Sequence, residues 1–536
     1  MRLFCVLVHF SVIADSLQKS TPQDDHYVAA VVEYIVNRNV EANKQNYIRL
    51  IGEAAQQNAD IVVFPELTLT NSTTSFAVPM HGLLQQYPIP ALRVDLYDDL
   101  LVSISAAALR NQIYVVINTR ESVDCTQPRE DEECPEQKEY VFNTNVVFDR
   151  TGAVIDRYRK INLFGEAAHT PALKPDLGLF TTDFGVTFGH FICFDLMFQV
   201  PAIQVVQKNN IKDVIFTTMW FSELPLLTAV QIQEAYGYTL DVNFLASGAN
   251  NVRVGSAGSG IYSGKAGALV SIMPGLPTTK LLVATVPKVP GNVSGNYPGP
   301  IYDNPSDHDS LALIRDPSFP AHVTRVLQEG FQEFTIRDKE VSCTFRVRLT
   351  KRSNTSVRYH AYIHDGTNTY AYRRVTGVAT CALAACETED PKSCPYRFKS
   401  TEETTIDELE IEMTTYRSDH NETLDCDNIE YFPVSFRYNK FPLNPKNYTF
   451  TVTTDDECVS QCESQDDNIQ SAFLHEVLNK KDKVKLNYKI NTPQNELVSF
   501  GIFGRVFIRD IDLTKHLSEE ENANYDTVLD QILGED

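Results

Sequence analysis

The sequence predicts an α/β fold for the first half of the chain and a smaller, β-rich domain for the second half. In the first half, helix-periodic segments alternate with short, branched apolar runs, which is typical of a layered α/β domain. In the second half, apolar and polar residues alternate and most of the cysteines cluster, which favours a disulfide-bridged β domain. A segment rich in proline and glycine, residues 287–305, separates the two halves and is typical of a linker.

The first α/β unit illustrates how the elements are predicted. Tyr47, Leu50, Ile51 and Ala54 recur at the spacing of one helix face, and the apolar run 61–64 that follows has the length and branching of a buried strand. The remaining predicted strands are residues 113–117, 146–148, 188–194, 214–218 and 244–247, and the remaining predicted helices are residues 201–208 and 228–242.

The second half contains alternating segments, among them residues 343–349 and 357–363, which predict strands with one buried face. The acidic run 401–412 is interpreted as a solvated strand edge or a loop rather than a partner site. From these patterns we predict an α/β domain over residues 27–290, a linker over 291–310, a β-rich domain over 311–510 and an acidic tail over 511–536.

Composition and charge restrict the class of protein. The chain has 536 residues with 70 acidic and 47 basic side chains, so its formal net charge is −23. A surface this negative repels phosphate backbones and anionic lipid, so we expect no nucleic-acid partner. Hydrophobic residues make up 43%, enough for a large core, and no apolar run approaches the ~20 residues that cross a bilayer. We therefore expect no spanning membrane segment.

The N-terminus resembles a secretory signal peptide. Arg2 precedes an apolar run over residues 3–14, and polar sequence follows, which predicts a signal over residues 1–16; a buried first strand is the alternative. Five glycosylation sequons agree with export, and the C-terminus shows no hydrophobic tail of the kind exchanged for a lipid anchor. We therefore predict a secreted, extracellular glycoprotein. The sequons begin at Asn71, Asn292, Asn354, Asn421 and Asn447.

The eleven cysteines fall into groups. Cys5 lies in the predicted signal peptide, and Cys193 stands apart in an apolar stretch. Cys125 and Cys134 are close neighbours in a polar loop, and the other seven crowd between residues 343 and 462. In an oxidising compartment clustered cysteines usually form disulfides, so we predict a Cys125–Cys134 bridge and three bridges among the late seven. The spacing of Cys381, Cys386 and Cys394 could also hold zinc, but without a C-x-x-C pair bridges are favoured and no metal is predicted.

Three residues at the ends of predicted strands could carry chemistry. Glu66 follows the run 61–64, Lys160 follows a strand and turn, and Cys193 ends the run 188–194. A thiol becomes a useful nucleophile when a base takes its proton and a cation stabilises the thiolate, roles that Glu66 and Lys160 can fill. Lys160 and the backbone N–H of Phe194 can also stabilise an oxyanion. Spacing alone does not bring these residues together, and apolar packing is the alternative role of Cys193.

A Cys-His dyad of Cys193 with His190 is a further alternative. Side chains alternate between the two faces of a strand, so His190, three positions earlier, should point away from the thiol.

At these positions the sequence resembles the nitrilase superfamily, and within it the branch of biotinidase and the vanins. The resemblance rests on the motifs Phe64-Pro-Glu66, Arg157-Tyr-Arg-Lys160 and Phe191-Ile-Cys-Phe-Asp195, in that order. It implies an α-β-β-α sandwich in which Glu66 is the general base, Lys160 the oxyanion stabiliser and Cys193 the nucleophile that forms a thioester. Glu166 matches a supporting acidic position. Residues 67–70 depart from the vanin pattern, which leaves the substrate open.

The resemblance implies a secreted amidohydrolase that cleaves a linear secondary amide of a vitamin-derived acyl group. Pantetheine, giving pantothenate and cysteamine, is the first expectation, and a biotinyl amide such as biocytin is the alternative. A secreted binding glycoprotein without turnover is the rival from another class, although the intact Glu66, Lys160 and Cys193 weigh against it. No cofactor is expected, because the triad can complete both half-reactions with water.

Overall fold

The computed structural model describes residues 19–126, 136, 138–166, 168–174, 176–295, 299–308, 310–351, 357–371, 374–397, 404–416, 429–454 and 483–513. The predicted signal peptide, most of the predicted acidic tail and residues Cys134, Asn354 and Asn421 lie outside the described residues. Within the described part, no helix has both the length and the apolar character needed to span a membrane.

The first domain contains all five α-helices of the described residues and fourteen strands. The helices are α1 (Val40–Gln56), α2 (Leu83–Gln86), α3 (Asp99–Asn111), α4 (Gln204–Gln207) and α5 (Ala229–Leu240). The strands are β1 (His26–Ile35), β2 (Ile61–Val63), β3 (Tyr114–Asp124), β4 (Glu139–Phe148), β5 (Val154–Arg159), β6 (Gly178–Thr181), β7 (Thr187–Ile192), β8 (Asp213–Thr218), β9 (Glu223–Leu224), β10 (Asn243–Asn250), β11 (Ser259–Ser263), β12 (Gly267–Ile272), β13 (Lys280–Pro287) and β14 (Ile301–Tyr302).

Thirteen of these strands form two stacked layers. Sheet 1 has the order β13-β1-β2-β3-β4-β5 and sheet 2 the order β6-β7-β8-β10-β11-β12-β14, and the two join where the end of β1 pairs with β10. On β1, Ala29 and Val31 belong to the core between the sheets, whereas Ala30 and Val32 belong to the core shared with α1 and α3. This period of two follows from the alternation of side chains along a strand.

The outer faces of both sheets are covered by helices. The side chain of Asn39 caps α1 by accepting from the N–H of Ala42 (2.9 Å), and the buried face of α1 carries the periodic residues that predicted it. On the other side, Ile232 and Tyr236 of α5 pack with Phe191, Phe216 and Phe244 of sheet 2. The predicted α-β-β-α sandwich is therefore confirmed.

The second domain consists of two antiparallel sheets of six strands each. Their orders are β16-β19-β20-β26-β22, with β27 beside β20, and β17-β18-β21-β24-β23, with β25 beside β21; β15 pairs instead with β9 of the first domain. The strands are β15 (Ile314–Arg315), β16 (Val323–Val326), β17 (Gly330–Asp338), β18 (Val341–Lys351), β19 (Arg358–Tyr370), β20 (Arg374–Cys386), β21 (Thr404–Tyr416), β22 (Ile429–Arg437), β23 (Tyr448–Thr454), β24 (Lys483–Ile490), β25 (Gln494–Asn495), β26 (Leu497–Val506) and β27 (Ile511–Asp512).

Two disulfides lie in this domain. Cys343 on β18 is bonded to Cys381 on β20, which ties the two sheets together, and Cys386 is bonded to Cys394. The prediction of a disulfide-bridged β-rich domain is confirmed. The other three of the seven late cysteines lie outside the described residues.

Three predicted elements differ from the structure. The strand predicted to end at residue 194 ends at Ile192, because Cys193 has a left-handed backbone (φ 47°) and begins a 3₁₀ turn. The helix predicted over residues 201–208 is α-helical only in α4, since a π-helical turn, Gln199–Ile203, precedes it. The described part of the acidic run, residues 404–412, is neither an edge nor a loop, because it belongs to β21, which lies between β18 and β24.

The two domains are in contact near Cys193 of the first domain. Arg505 on β26 donates from Nε to the carbonyl of Met197 (2.8 Å), and the Ser499 hydroxyl donates to the carbonyl of Pro225 (2.5 Å). Both acceptors lie in loops that follow strands of sheet 2, so the second domain packs against the end of the sheet where Cys193 lies.

Candidate active site

Glu66 lies just after β2 and is almost completely buried, with 2% of its surface exposed. Its carboxylate accepts three hydrogen bonds. Lys160 Nζ (2.7 Å) and Asn143 Nδ2 (2.8 Å) donate to Oε1, and the backbone N–H of Met219 (2.7 Å) donates to Oε2. The donors come from three separate segments, so the position of the carboxylate is fixed from several sides.

Two buried asparagines on neighbouring strands hold this arrangement. Asn118 on β3 donates to Asn143 Oδ1 on β4 (2.8 Å), and Asn118 Oδ1 accepts from the N–H of Leu67 (2.8 Å). The same network therefore orients Asn143 toward Glu66 and fixes the backbone directly after Glu66. Neither asparagine was predicted from the sequence. The signal that could have found them is a polar amide in a strand, because a buried amide needs a hydrogen-bond partner.

Lys160 follows β5 and is 1% exposed. Its ammonium group donates to Glu66 and also to Glu166 Oε1. Burial alone would lower the pKa of Lys160, but the charges of Glu166 and Glu66 outweigh it and raise that pKa well above its ordinary value. Burial would raise the pKa of Glu166, and the Lys160 charge reverses this and lowers it. Lys160 is therefore a permanent cation between two carboxylates.

Glu166 also fixes the loop that contains it. Its Oε2 accepts from the backbone N–H of Phe164 (2.5 Å) while Oε1 accepts from Lys160. The side chain of Glu166 therefore orients the ammonium group of Lys160 and the adjacent Phe164, which lines both cavities described below.

Cys193 is a free, buried thiol at the start of the turn after β7. Its Sγ lies 3.6 Å from the carbonyl oxygen of Met219, the residue whose N–H binds Glu66. Burial and the charge of Glu66 raise the pKa of the Cys193 thiol well above its usual range, and Lys160 opposes them only in part. The resting group is therefore a thiol, and its reactivity depends on a base that takes the proton as the sulfur attacks.

Asp195 holds the turn that presents the thiol. It is fully buried and accepts from the Tyr158 hydroxyl (2.7 Å) and from the backbone N–H groups of Asn162 (2.8 Å) and Ile192 (3.2 Å). Phe194, whose N–H was predicted to bind the oxyanion, lies in this turn, and its ring packs edge-on against that of Phe164.

Cys193 lines two cavities. The larger cavity, which we call the polar cleft, measures about 1220 Å³ and opens to solvent. Its wall also contains Glu66, Lys160, Arg120 and His169. The smaller, the aromatic chamber, measures about 440 Å³, and its wall includes the rings of Phe164, Phe194, Trp220, Phe221 and Tyr370. A molecule bound at the Cys193 thiol can therefore extend into both cavities.

Two histidines near the site do not act as a partner of Cys193. His190 lies 2.7 Å from Asp156 Oδ2 through Nε2 and 3.4 Å from Asn145 through Nδ1, so it does not form a dyad with Cys193. His169, in the wall of the polar cleft, contacts Arg120 (3.2 Å), and burial lowers its pKa to about 4. His169 is therefore neutral near neutral pH.

The zinc alternative does not fit the structure. Cys386 and Cys394 lie close to His360, but these two cysteines are bonded to each other and Cys381 is bonded to Cys343. Sulfurs in disulfides are not the thiolate ligands that zinc requires.

The other predicted site residues are spread over the surface. Asn71 lies in the wall of the polar cleft, Asn292 is exposed and Asn447 is half-buried. Cys125 is disulfide-bonded, but Cys134 lies outside the described residues, so their pairing stays a prediction.

Comparison with known proteins assigns both domains. The family model of the carbon-nitrogen hydrolases matches residues 28–261, and that of the vanin C-terminal domain matches residues 312–510. Vanin-like protein 2 of Drosophila melanogaster is 30% identical over 97% of this chain and 96% of its own length.

Two further relatives match about half of the chain. Vanin-like protein 1 of Drosophila melanogaster is 42% identical over 51% of this chain and 50% of its own length, and human biotinidase is 34% identical over 54% of this chain and 57% of its own length. The chain therefore belongs to the carbon-nitrogen hydrolases of the nitrilase superfamily, in their vanin and biotinidase branch, and is a hydrolase of amide carbon–nitrogen bonds.

Proposed function

We propose that this hydrolase cleaves a linear secondary amide with a vitamin-derived acyl group through a thioester on Cys193, and that pantetheine is its substrate. The observation that supports the proposal most is the position of Cys193, beside Glu66 and Lys160 and in the wall of two cavities. A linear amide has two arms, and the two cavities offer each arm a separate site.

In the acylation step Glu66 takes the proton of the Cys193 thiol as the sulfur attacks the amide carbon. The oxyanion that forms is stabilised by the ammonium group of Lys160 and by the N–H of Phe194. When this intermediate collapses, the carbon–nitrogen bond breaks and Glu66 returns the proton to the departing amine. The products are the free amine and a thioester of Cys193.

In the deacylation step Glu66 acts as a base a second time. It takes a proton from a water molecule, whose oxygen attacks the thioester carbon, and the same two donors stabilise the second oxyanion. The carbon–sulfur bond then breaks, the thiol regains its proton, and the carboxylic acid leaves. Both half-reactions balance with water alone.

Pantetheine is placed first because the similarity to a vanin-like protein extends over almost the whole chain. Biotinyl amides are the second candidate, because human biotinidase is similar over the catalytic half. Products tell them apart: pantetheine gives pantothenate and cysteamine, and biocytin gives biotin and lysine.

The experiment is mass spectrometry of the intact protein, quenched during turnover of pantetheine and of biocytin. We expect an added pantothenoyl group on wild-type protein, located at Cys193 by peptide mapping, and none on Cys193→Ala. A biotinyl adduct would favour the second candidate. If neither amide gives an adduct or a free amine, the binding-glycoprotein alternative replaces the proposal.

We also propose that the protein is secreted. The two disulfides of the second domain support this, since such bonds persist in oxidising compartments. Expression of the full chain in cultured animal cells, with N-terminal sequencing of protein from the medium and glycosidase treatment, tests it. Protein that stays inside the cells without glycans would contradict the proposal.

A further inference from the structure

The aromatic chamber contains one acidic side chain, that of Glu223. Its backbone N–H and carbonyl pair with Leu227 (3.1 and 2.9 Å), whereas its carboxyl group has no hydrogen bond or ion pair to any residue that the structure describes. Glu223 is half-buried, and a carboxyl group that is partly withdrawn from water without a partner is costly, so its position in a cavity next to the nucleophile favours a ligand that would satisfy it.

The surroundings of Glu223 contain no neutralising cation among the described residues. Asp316, whose charge acts on Glu223, is a second acid. His322 and His364 beside it are half-buried, and this partial burial lowers the pKa of each. Burial, and then the charge of Asp316, raise the pKa of Glu223 to about 8. Near neutral pH the group is mostly an uncharged carboxyl, which can donate one hydrogen bond and accept others.

The chamber is built by both domains. Glu223 on β9 pairs with Ile314 on β15, and Ile314 and Tyr370 of the second domain complete the wall that Phe194 and Trp220 begin. Apart from Glu223 this wall is mainly aromatic and aliphatic, so it suits an apolar chain that ends in one polar group.

We infer that the aromatic chamber binds the acyl arm of the substrate, with its apolar part against the aromatic rings and a neutral hydroxyl or N–H group at its far end hydrogen-bonded to Glu223. This inference rests on the proposed function and narrows its substrate class. It assigns the amine arm to the polar cleft, where Arg120 and Lys160 lie, and it gives the second domain a part in selecting the substrate.

Both candidate substrates have acyl arms that end in neutral polar groups. The pantothenoyl arm ends in a hydroxyl beside two methyl groups and also carries a second hydroxyl and an internal amide, and the biotinyl arm ends in a ureido group, with N–H donors and a carbonyl, beyond an aliphatic chain. Their amine arms end differently, in a thiol or in charged groups, and the charged groups do not suit the apolar wall of the chamber.

The test compares three amides of one amine whose acyl chains have equal length and end in a hydroxyl, a methyl or an ammonium group. We expect wild-type protein to prefer the hydroxyl over the methyl amide in kcat/KM by about tenfold or more, because a polar site rejects an analogue that leaves it unpaired. Glu223→Leu should abolish this preference, and Glu223→Gln should keep part of it. Glu53→Gln, on the surface of α1, is the matched control.

A second measurement does not depend on turnover. Trp220 is the only tryptophan of the chain and lies in the chamber wall, so its fluorescence reports occupation of the chamber. In the Cys193→Ala background the hydroxyl amide should bind more tightly than the methyl amide, and Glu223→Leu should remove the difference. Thermal melting shows whether each variant is folded, and Glu223→Gln, nearly identical in shape, serves if the leucine variant is not.

The outcomes separate the two proposals. A hydroxyl preference in the fluorescence titration without hydrolysis of any amide would refute the proposed function and keep the inference. Hydrolysis with the same hydroxyl-to-methyl ratio in wild type and Glu223→Leu would overturn the inference and keep the function. A preference for the ammonium amide would also overturn it, because a cation would then be the ligand of Glu223.

Discussion

Replacing Lys160 by arginine keeps the charge in the site and changes its shape. Lys160 Nζ donates to Glu66 Oε1 at 2.7 Å and also to Glu166, and its side chain is 1% exposed. Arginine carries its charge on a planar, broader group that forms paired contacts rather than one compact point of contact. We predict that Lys160→Arg loses most of its turnover although both carboxylates keep a cationic partner.

The magnitude follows from separating two effects. At 2.7 Å and an effective dielectric constant of ~20, two unit charges attract by about 6 kcal/mol, and this attraction is largely kept in the arginine variant. The oxyanion donor is not kept, and loss of one such donor typically costs about 10²–10³ in kcat, or roughly 2.7–4 kcal/mol. Lys160→Met, in contrast, leaves two buried carboxylates unpaired and should cost about 3–5 kcal/mol of stability.

Steady-state kinetics and urea unfolding on the same samples test this reasoning. Lys44→Arg is the matched control, because Lys44 also contacts two carboxylates, Glu41 and Asp99, both at 2.6 Å, but at the surface far in sequence from the site. It should keep wild-type turnover. If Lys160→Arg stayed within a few-fold of wild type, Lys160 would not be the oxyanion donor. If Lys160→Arg instead lost much of its stability, the lower turnover would come from a disturbed arrangement of the charged groups and not from loss of the oxyanion donor.

Three further predictions concern other parts of the molecule. Cys193→Ala should abolish amide hydrolysis, because no other group replaces the lost thiol, and it should keep the fold, because the cavity left by the substitution is small. Turnover at the wild-type rate would refute the assignment of Cys193 as the nucleophile. Peptide mapping without reduction should find Cys125 joined to Cys134, and a free thiol at both would contradict this. Burial raises the pKa of Glu234 to about 8, so the folded state keeps a proton that the unfolded state releases above pH ~4.5, and stability should fall as pH rises toward 8. Glu234→Gln should make the Tm fall less between pH 6.5 and 8, and an unchanged slope would show that other groups cause it.

Local pattern was sufficient to predict three helical segments and six strands of the first domain, but it did not identify α3 or strands such as β1 and β13. The helix face of Tyr47 to Ala54 and the branched run 61–64 became α1 and β2, because periodicity and branching act over a few residues. The end of the strand in the run 188–194 could not be predicted from local pattern. Its last residues are as apolar as the rest, but the left-handed backbone of Cys193 stops the strand two residues early. A backbone angle of that kind is imposed by the surrounding turn, including the buried Asp195.

The acidic run of the second domain was misplaced for a related reason. Its charges predict exposure, yet β21 lies in the middle of a sheet because partners on neighbouring strands offset them. Glu410 lies opposite Arg346 on one side and Lys489 on the other, and Glu408 lies opposite Arg348. Opposite charges across strands stabilise a sheet, but they become visible only once the register is known.

The same limit applies to the site. Strand ends and motifs pointed to Glu66, Lys160 and Cys193. A polar amide in a strand signals that it needs a partner but does not identify that partner, so the role of Asn118 and Asn143 in positioning Glu66 was not predicted. No local pattern identifies Ile314 and Tyr370, which come from the other domain. These contacts join residues far apart in sequence, and spacing contains no information on them.

The raised pKa of the Cys193 thiol has a consequence for how Glu66 and Lys160 divide the work. If Lys160 mainly stabilised a resting thiolate, the pKa of Cys193 would lie below that of a free thiol; instead burial and the Glu66 charge raise it. In the resting site Lys160 is already paired with Glu66 and Glu166. Its remaining hydrogen-bonding capacity is therefore available for negative charge that develops during the reaction. In the mechanism proposed above, Glu66 loses its charge when it takes the thiol proton, and its attraction for the ammonium group of Lys160 weakens as the oxyanion forms. The ammonium group would then be free to stabilise the oxyanion at that step.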